Sequence, residues 1–328
     1  MRIPNSVARE IIERVLTGED YRPVIVQLID AKFLNYVLDF FRQIVDAKLD
    51  GQRITGDWYR ERMLLRGDIP KEEVATRAGL NLKTIQNARH TTCRKVVEEE
   101  ALKHYEKLRQ VIEELIQDDQ HFGVEITLKL RNVSVTLDVA ESLIVINALA
   151  VARAALRGGA WSTAGKQVEE PLMRTLCALH RVPKKHYDQK LIPKSERETD
   201  FCLLDTKGKI YRCEVKLLGK GNPESADAPL AREVQVFIAD TISDTMKAQL
   251  DGRGILWMEL RGAQDWQKFA EILDKLGIPH KPVPPGKEKE WLERCLNAVI
   301  PIGGAYSAQI RETPADYSSE GDLLLDLE

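Results

Sequence analysis

Thr199-Asp-Phe-Cys-Leu-Leu-Asp-Thr-Lys-Gly208-Lys-Ile-Tyr-Arg-Cys-Glu-Val-Lys-Leu-Leu218 is the stretch on which the fold turns. Two runs that alternate apolar and polar residues flank Asp205-Thr206-Lys207-Gly208-Lys209. Period-two alternation broken by an Asp/Gly turn predicts an antiparallel hairpin. Centring the turn on Lys207 sets Leu204 opposite Ile210, Cys202 opposite Arg212 and Asp200 opposite Glu214. Side chains alternate faces along a strand, so Asp200, Cys202 and Leu204 share a face with Arg212, Glu214 and Lys216. Phe201, Leu203, Tyr211, Cys213, Val215 and Leu217 face the other way, into a core. Directly opposed side chains lie about 5 Å apart at Cβ, and like charges there are destabilising. Two facing carboxylates beside a lysine therefore suit a bound divalent cation. The plainer alternative is an exposed edge hairpin in which Arg212 neutralises Glu214, and a one-residue slip would put the acids on opposite faces. Other acid-x-Lys triplets (Asp30-Ala-Lys32, Asp46-Ala-Lys48, Asp188-Gln-Lys190, Asp205-Thr-Lys207) lack a strand setting with an acid opposite.

The whole chain, 328 residues with 30% charged and 43% hydrophobic, has the length and composition of an ordinary globular protein of two domains. Its formal charge of −3 is uneven: residues 311–328 carry one arginine against six acids, leaving the rest near +2. Five scattered cysteines without a C-x-x-C pair read as reduced thiols, not a zinc site or a disulfide frame. The start, Met1-Arg-Ile-Pro-Asn5, has no apolar signal core, and the most apolar run, Leu143 to Leu156, contains Asn147 and Arg153. It is read as a buried helix too short for a membrane span, so a cytoplasmic location with no membrane partner is expected.

Outward from the hairpin, residues 6–50 keep helical periodicity, with Leu34, Val37, Leu38, Phe41, Ile44 and Val45 on one apolar face and Gly51 as terminator. Another helix covers Thr55 to Arg66. Lys71 to His90 fits a helix-turn-helix at 71–90: Ala75 for close packing, Gly79 for the turn, and Val74, Ala78, Leu80 and Ile85 as anchors. Its second helix would present Lys83, Thr84, Gln86, Asn87 and His90, of which the first four suit base edges and phosphates; a structural helical hairpin shows the same pattern. A long amphipathic helix follows to Gln117, then a hairpin of Val124–Leu130 and Val133–Leu137. The Leu143–Leu156 helix is expected to end at Gly158-Gly159. Gly159 to Gln167 fails the phosphate-loop spacing and reads as a loop before a helix from Gly165 to Leu179. On that helix Glu169 and Glu170 sit in an early turn, where carboxylates also favour the helix dipole. Beyond the central hairpin come a glycine loop, a strand at 233–239, a helix at 243–250, a strand at 255–260 and a short helix from Trp291. The fold class is α/β (α+β), with a helical domain at 1–120, a mixed sheet flanked by helices at 121–310, and an acidic, disordered tail at 311–328.

A glutamate-bearing helix, an antiparallel pair carrying Asp and Glu-x-Lys, then strand, helix and strand is the layout of PD-(D/E)XK nucleases. Within it, Gln167-Val-Glu-Glu-Pro171, Ser195-Glu-Arg-Glu-Thr-Asp200-Phe, Cys213-Glu-Val-Lys-Leu217 and Gly219-Lys-Gly-Asn-Pro-Glu-Ser-Ala-Asp227 resemble the CfrBI family of type II restriction endonucleases. The resemblance extends more weakly to Gly79-Leu-Asn-Leu-Lys-Thr-Ile85. Thr199 stands where the superfamily has proline.

The resemblance implies Mg²⁺-dependent hydrolysis of double-stranded DNA at a short palindrome, by a homodimer whose site a cognate DNA methyltransferase also modifies. Asp200, Glu214 and the Val215 carbonyl are the implied metal ligands, Lys216 the group beside the attacking water, and Glu169 the completing acid. Base contacts fall to Lys83, Thr84, Gln86 and Asn87, with Lys220 and Asn222 nearer the scissile phosphates. Two rivals share many of these features: a helix-turn-helix DNA-binding regulator without nuclease activity, and a structure-selective DNA repair nuclease with the same core.

Overall fold

A computed structural model describes residues 3–80, 82–118, 123–130, 132–192, 200–217 and 233–301. The expected acidic tail and the glycine loop with Lys220 and Asn222 lie outside the described residues. By contacts the chain forms two compact units, Ile25–Thr163 on one hand, and Arg2–Val24 with Ala164–Glu328 on the other.

The second unit holds a four-stranded sheet ordered β3-β4-β5-β6. Strand β3 (Phe201–Leu204) and β4 (Ile210–Lys216) are antiparallel, with Cys202 opposite Arg212 and Leu204 opposite Ile210. That is the register set by the turn. Asp205 accepts from the Lys207 and Lys209 amides at 2.8 and 2.9 Å, and Gly208 adopts φ 81°. A left-handed residue at that point favours glycine and fixes the loop length. Strand β5 (Val236–Ala239) runs parallel to β4, and β6 (Leu256–Glu259) parallel to β5. Helix α8 (Asp244–Gly252) connects those two strands, its first turn capped by Ser243. Val234, Phe237, Ala239, Ile242, Met246, Leu250 and Ile255 form one core under it. Helices α9 (Phe269–Leu276) and α10 (Glu288–Val299) complete the chain's described part; the first of these was not foreseen. Helix α1 (Asn5–Thr17) belongs to this unit, where Arg9 donates to Asn297 at 2.6 Å.

Helix α7 corrects two expectations. It runs unbroken from Val139 to Leu179, through Gly158-Gly159 and Pro171. The reason is a ladder at four-residue steps in which Ala148, Ala152, Ala160, Ala164, Val168, Leu172 and Leu176 are buried and Leu156 is half-buried. Two glycines at about 1 kcal/mol each and an interior proline at about 3 kcal/mol together cost less than burying Val168, Leu172 and Leu176 yields, at roughly 1.5–3 kcal/mol each with further contacts from the alanines. Continuity of the stripe therefore outweighs the local breakers. The apolar run is also not too short for a bilayer: by length and composition α7 is long and apolar enough to cross one.

The first unit holds most of α2 (Arg22–Leu49), then α3 (Gly56–Tyr59), α4 (Lys71–Arg77), α5 (Leu82–Arg89), α6 (Arg94–Asp118) and the hairpin β1 (Ile126–Leu130) with β2 (Val133–Leu137). A π-turn over Arg60–Leu64 replaces the expected continuation of α3. Arg77 ties α4 to that turn by donating to the Met63 carbonyl at 3.2 Å, while Tyr59 donates to the Arg77 carbonyl at 2.9 Å. Of the expected anchors, Val74, Ala78 and Ile85 are buried and Leu80 is half-buried, with Ala75 buried beside them. Gly79, at φ 72°, leaves no room for a Cβ, which would meet the Val151 side chain at 2.8 Å. On α2, Phe41, Ile44 and Val45 join the core, but Leu34 and Leu38 do not; they are 59% and 54% exposed.

Candidate active site

Three carboxylates from three elements converge on one ammonium. Lys216 Nζ lies 2.8 Å from Glu214 Oε1, 3.5 Å from Asp200 Oδ2 and 3.8 Å from Glu169 Oε1. Glu214 and Lys216 share a face because they are two residues apart on β4. Asp200 precedes β3 and is tied to β4 directly, since its Oδ2 accepts from the Val215 amide at 3.0 Å. Glu169 descends from mid-α7, far from any helix terminus, so dipole capping does not account for it. Its neighbour Glu170 points elsewhere and pairs with Arg174 at 2.8 Å. Glu214 is fully buried, so the acid-bearing face of the hairpin is not a solvent face.

The cluster is electrostatically strained. Burial, then the nearby charge of Asp200, pushes the Glu169 carboxyl up to about 7, against the pull of Lys216. Burial pulls Lys216 down, but its hydrogen bond to Glu214 and the charges of Asp200, Glu214 and Glu169 outweigh that and hold it above its ordinary value. Among the described residues no three His, Cys, Asp or Glu side chains form a ready cation cage. Magnesium does not need one: it takes one or two carboxylates and completes its shell with water and substrate phosphate. Asp200 and Glu214, hard oxygen donors that share one small cation already, fit that demand.

The model of the CfrBI restriction endonuclease family matches residues 5–247, about three quarters of the chain. The chain belongs to the CfrBI restriction endonuclease family. No curated protein and no solved structure matches it. A member of this family is a nuclease, hence a hydrolase, acting on double-stranded DNA, and restriction endonucleases generally use divalent metal ions. The matched span contains α4, α5 and all four clustered side chains. Of the residues expected to touch DNA, Thr84, Gln86 and Asn87 are exposed on α5. The Lys83 side chain, Lys220 and Asn222 fall outside the described residues.

Two features of this endonuclease gave no signal in the sequence. The first is a cap on the sheet's open edge. Among the described residues β3 has no strand on its outer side; there the Gln189 side chain donates to the Cys202 carbonyl at 3.0 Å and accepts from the Cys202 amide at 3.1 Å. His186 adds a 2.9 Å contact to the Leu204 carbonyl. A primary amide thus stands in for a neighbouring strand, blocks edge pairing and holds β3 two residues from Asp200. Gln189→Ala is expected to raise the magnesium concentration needed for half-maximal cutting several-fold, at a stability cost of about 1–3 kcal/mol. A magnesium titration beside a melting curve checks it; an unchanged metal requirement would remove Gln189 from the support of Asp200. The second is Asp240, buried at the end of β5, whose amide donates to the Lys216 carbonyl at 3.3 Å and whose carboxylate accepts from Tyr21 at 2.9 Å. It braces the end of the strand that carries Lys216.

Proposed function

We propose that this endonuclease is a type II enzyme that hydrolyses both strands of a short palindromic DNA site with Mg²⁺. The single observation that carries the proposal is the convergence of Glu169, Asp200 and Glu214 on Lys216 within 3.8 Å. Asp200 and Glu214, with the Val215 carbonyl, would hold the metal, and Glu169 would complete the site directly or through water. A bound magnesium ion polarises the phosphate and lowers the pKa of its water. Lys216, held above its ordinary pKa by its acidic neighbours, would orient the attacking water and stabilise the charge that builds on the phosphate oxygens. The helix-turn-helix reading of 71–90 then supplies specificity: Gln86 and Asn87 are able to pair with adenine edges, while Thr84 and Lys83 contact bases or phosphates. In this scheme residues 1–120 recognise and 121–310 cut, with Lys220 and Asn222 of the glycine loop near the scissile phosphates. The protein acts as a cytoplasmic homodimer, and a cognate methyltransferase protects the same sites in the cell.

The test is digestion of phage DNA by purified protein, with Mg²⁺ and with EDTA. Discrete fragments that require Mg²⁺ are the expected result, and Gln86→Ala with Asn87→Ala should relax or abolish site choice at a cost of about 1–3 kcal/mol per lost pair. Metal-indifferent DNA binding without cutting would leave only a regulator. Cutting confined to flaps or junctions would make the protein a structure-selective nuclease.

A further inference from the structure

Among the described residues, one apolar strip of α2 has no cover. Leu34 and Leu38 stand more than half exposed, Val26 is 44% exposed about two turns before Leu34 on the same four-residue ridge, and Ile146 on α7 is also 44% exposed. Helix α7 runs antiparallel beside α2, since Glu141 meets Lys48 at 3.0 Å while Arg153 meets Asp30 at 2.9 Å. That pairing places Ile146 at the level of Phe40 and Phe41 along α2. Leu34 and Leu38, one turn apart, form an exposed apolar strip on α2, and exposed apolar surface of this kind marks interaction sites.

We infer that this face of α2 is the contact between two copies of the chain, the helices lying antiparallel across a two-fold axis; the inference rests on the homodimer reading above. The charge pattern selects the occupant. Asp30, Leu34, Leu38 and Arg42 recur every fourth residue and form one ridge, with an acid at one end and a base at the other. Both end groups keep exposed side chains. Ridges of this spacing interdigitate in the commonest class of helix packing. Placed antiparallel on itself, the ridge sets Leu34 against Leu38 of the second copy and Asp30 against its Arg42, twice. Placed parallel, it sets Asp30 against Asp30 and Arg42 against Arg42, which is repulsive. The surface is thus self-complementary in one sense only, as a two-fold interface requires. The intrachain partners of these ends, Arg153 and Asp39, form exposed pairs of little worth and are free to share or yield.

Sedimentation velocity on the full-length protein across the micromolar range tests the inference. Wild type should sediment as a dimer and Leu38→Glu as a monomer with an unchanged melting curve, since that position is outside the core. Asp30→Arg and Arg42→Asp should each weaken the dimer about tenfold or more. The double variant Asp30→Arg/Arg42→Asp should regain most of the loss. Such rescue has to come from a second copy, because within one chain the two positions lie about 18 Å apart on the helix. A photo-cross-linker attached at Leu34→Cys should join two α2 helices. A monomeric wild type, a Leu38→Glu dimer, a double variant without recovery, or a cross-link into the chain's own residues 302–328 would each overturn the interface. Magnesium-dependent digestion of the same samples keeps the questions apart. A dimer with the expected variant pattern but no cutting upholds the interface and removes the endonuclease reading; a wild-type monomer that cuts does the reverse.

Discussion

Lys216→Ala is expected to bind its DNA site with near-native affinity and to cut it about 10³-fold more slowly or worse. The affinity expectation follows because recognition is assigned to α5 and the glycine loop, not to this side chain. A second effect separates a metal centre from an ordinary ion-pair network. Without the ammonium, Glu169, Asp200 and Glu214 lose the cation on which all three converge. Stripping one partner from a buried ion pair costs about 3–5 kcal/mol. Lys216 keeps 24% of its side chain exposed, so screening brings the expected loss nearer to about 2 kcal/mol. In EDTA the variant should therefore melt several degrees below wild type. Magnesium at a hundred times its Kd contributes about 2.7 kcal/mol to a protein that binds it only when folded. It should return the variant close to metal-free wild type while cutting stays lost. If the cluster only ties β4 to α7, magnesium will not rescue the melting temperature and cutting will continue. Either result is read from four melting curves, wild type and variant each with EDTA and with Mg²⁺, and one digest.

The site was legible where its geometry is local. The Asp205 turn and Gly208 fix the hairpin register, and the register alone brings Asp200 and Glu214 to one side with Lys216. Gly79 and the apolar anchors around it located α4 and α5 for the same reason: a tight turn and a short period carry their own punctuation. What escaped was non-local. Gly158, Gly159 and Pro171 look like helix breakers in sequence, and only the buried ladder along α7 shows why they are not. That error put Glu169 near a helix start and gave it a capping explanation that mid-helix placement removes. The edge cap by Gln189 was illegible for a different cause: it depends on which strand lies at the margin of the sheet, a matter of topology that no tripeptide records. Leu34 and Leu38 were assigned with Phe41 to one apolar face correctly as periodicity goes, but periodicity does not tell a face packed within the chain from one left outside.

Glu169→Gln should stabilise the metal-free protein at alkaline pH, the opposite of what most changes in a buried site do. The carboxyl's pKa is raised from 4.5 to about 7 in the folded state. Between those values the folded protein holds a proton that the unfolded chain releases. Stability from this group therefore falls as pH rises through the window, and above pH 7 the full penalty stands. A displacement of this size corresponds to about 3 kcal/mol. Glutamine has nearly the same shape and no charge to desolvate, so it should remove the penalty. In EDTA, wild type and variant should melt together near pH 5 and separate progressively up to pH 8, the variant higher. Saturating magnesium should narrow or reverse that gap, because a cation offsets the charge that burial and Asp200 oppose and the amide is the poorer partner. Cutting by the variant should fall about 10–100-fold if Glu169 reaches the metal through water, and further if it is a direct ligand. A wild type more stable than Glu169→Gln at pH 8 in EDTA would mean that the carboxylate is already ionised and satisfied by Lys216. The acid would then be a structural anchor between α7 and β4, and the metal site would rest on Asp200 and Glu214 alone.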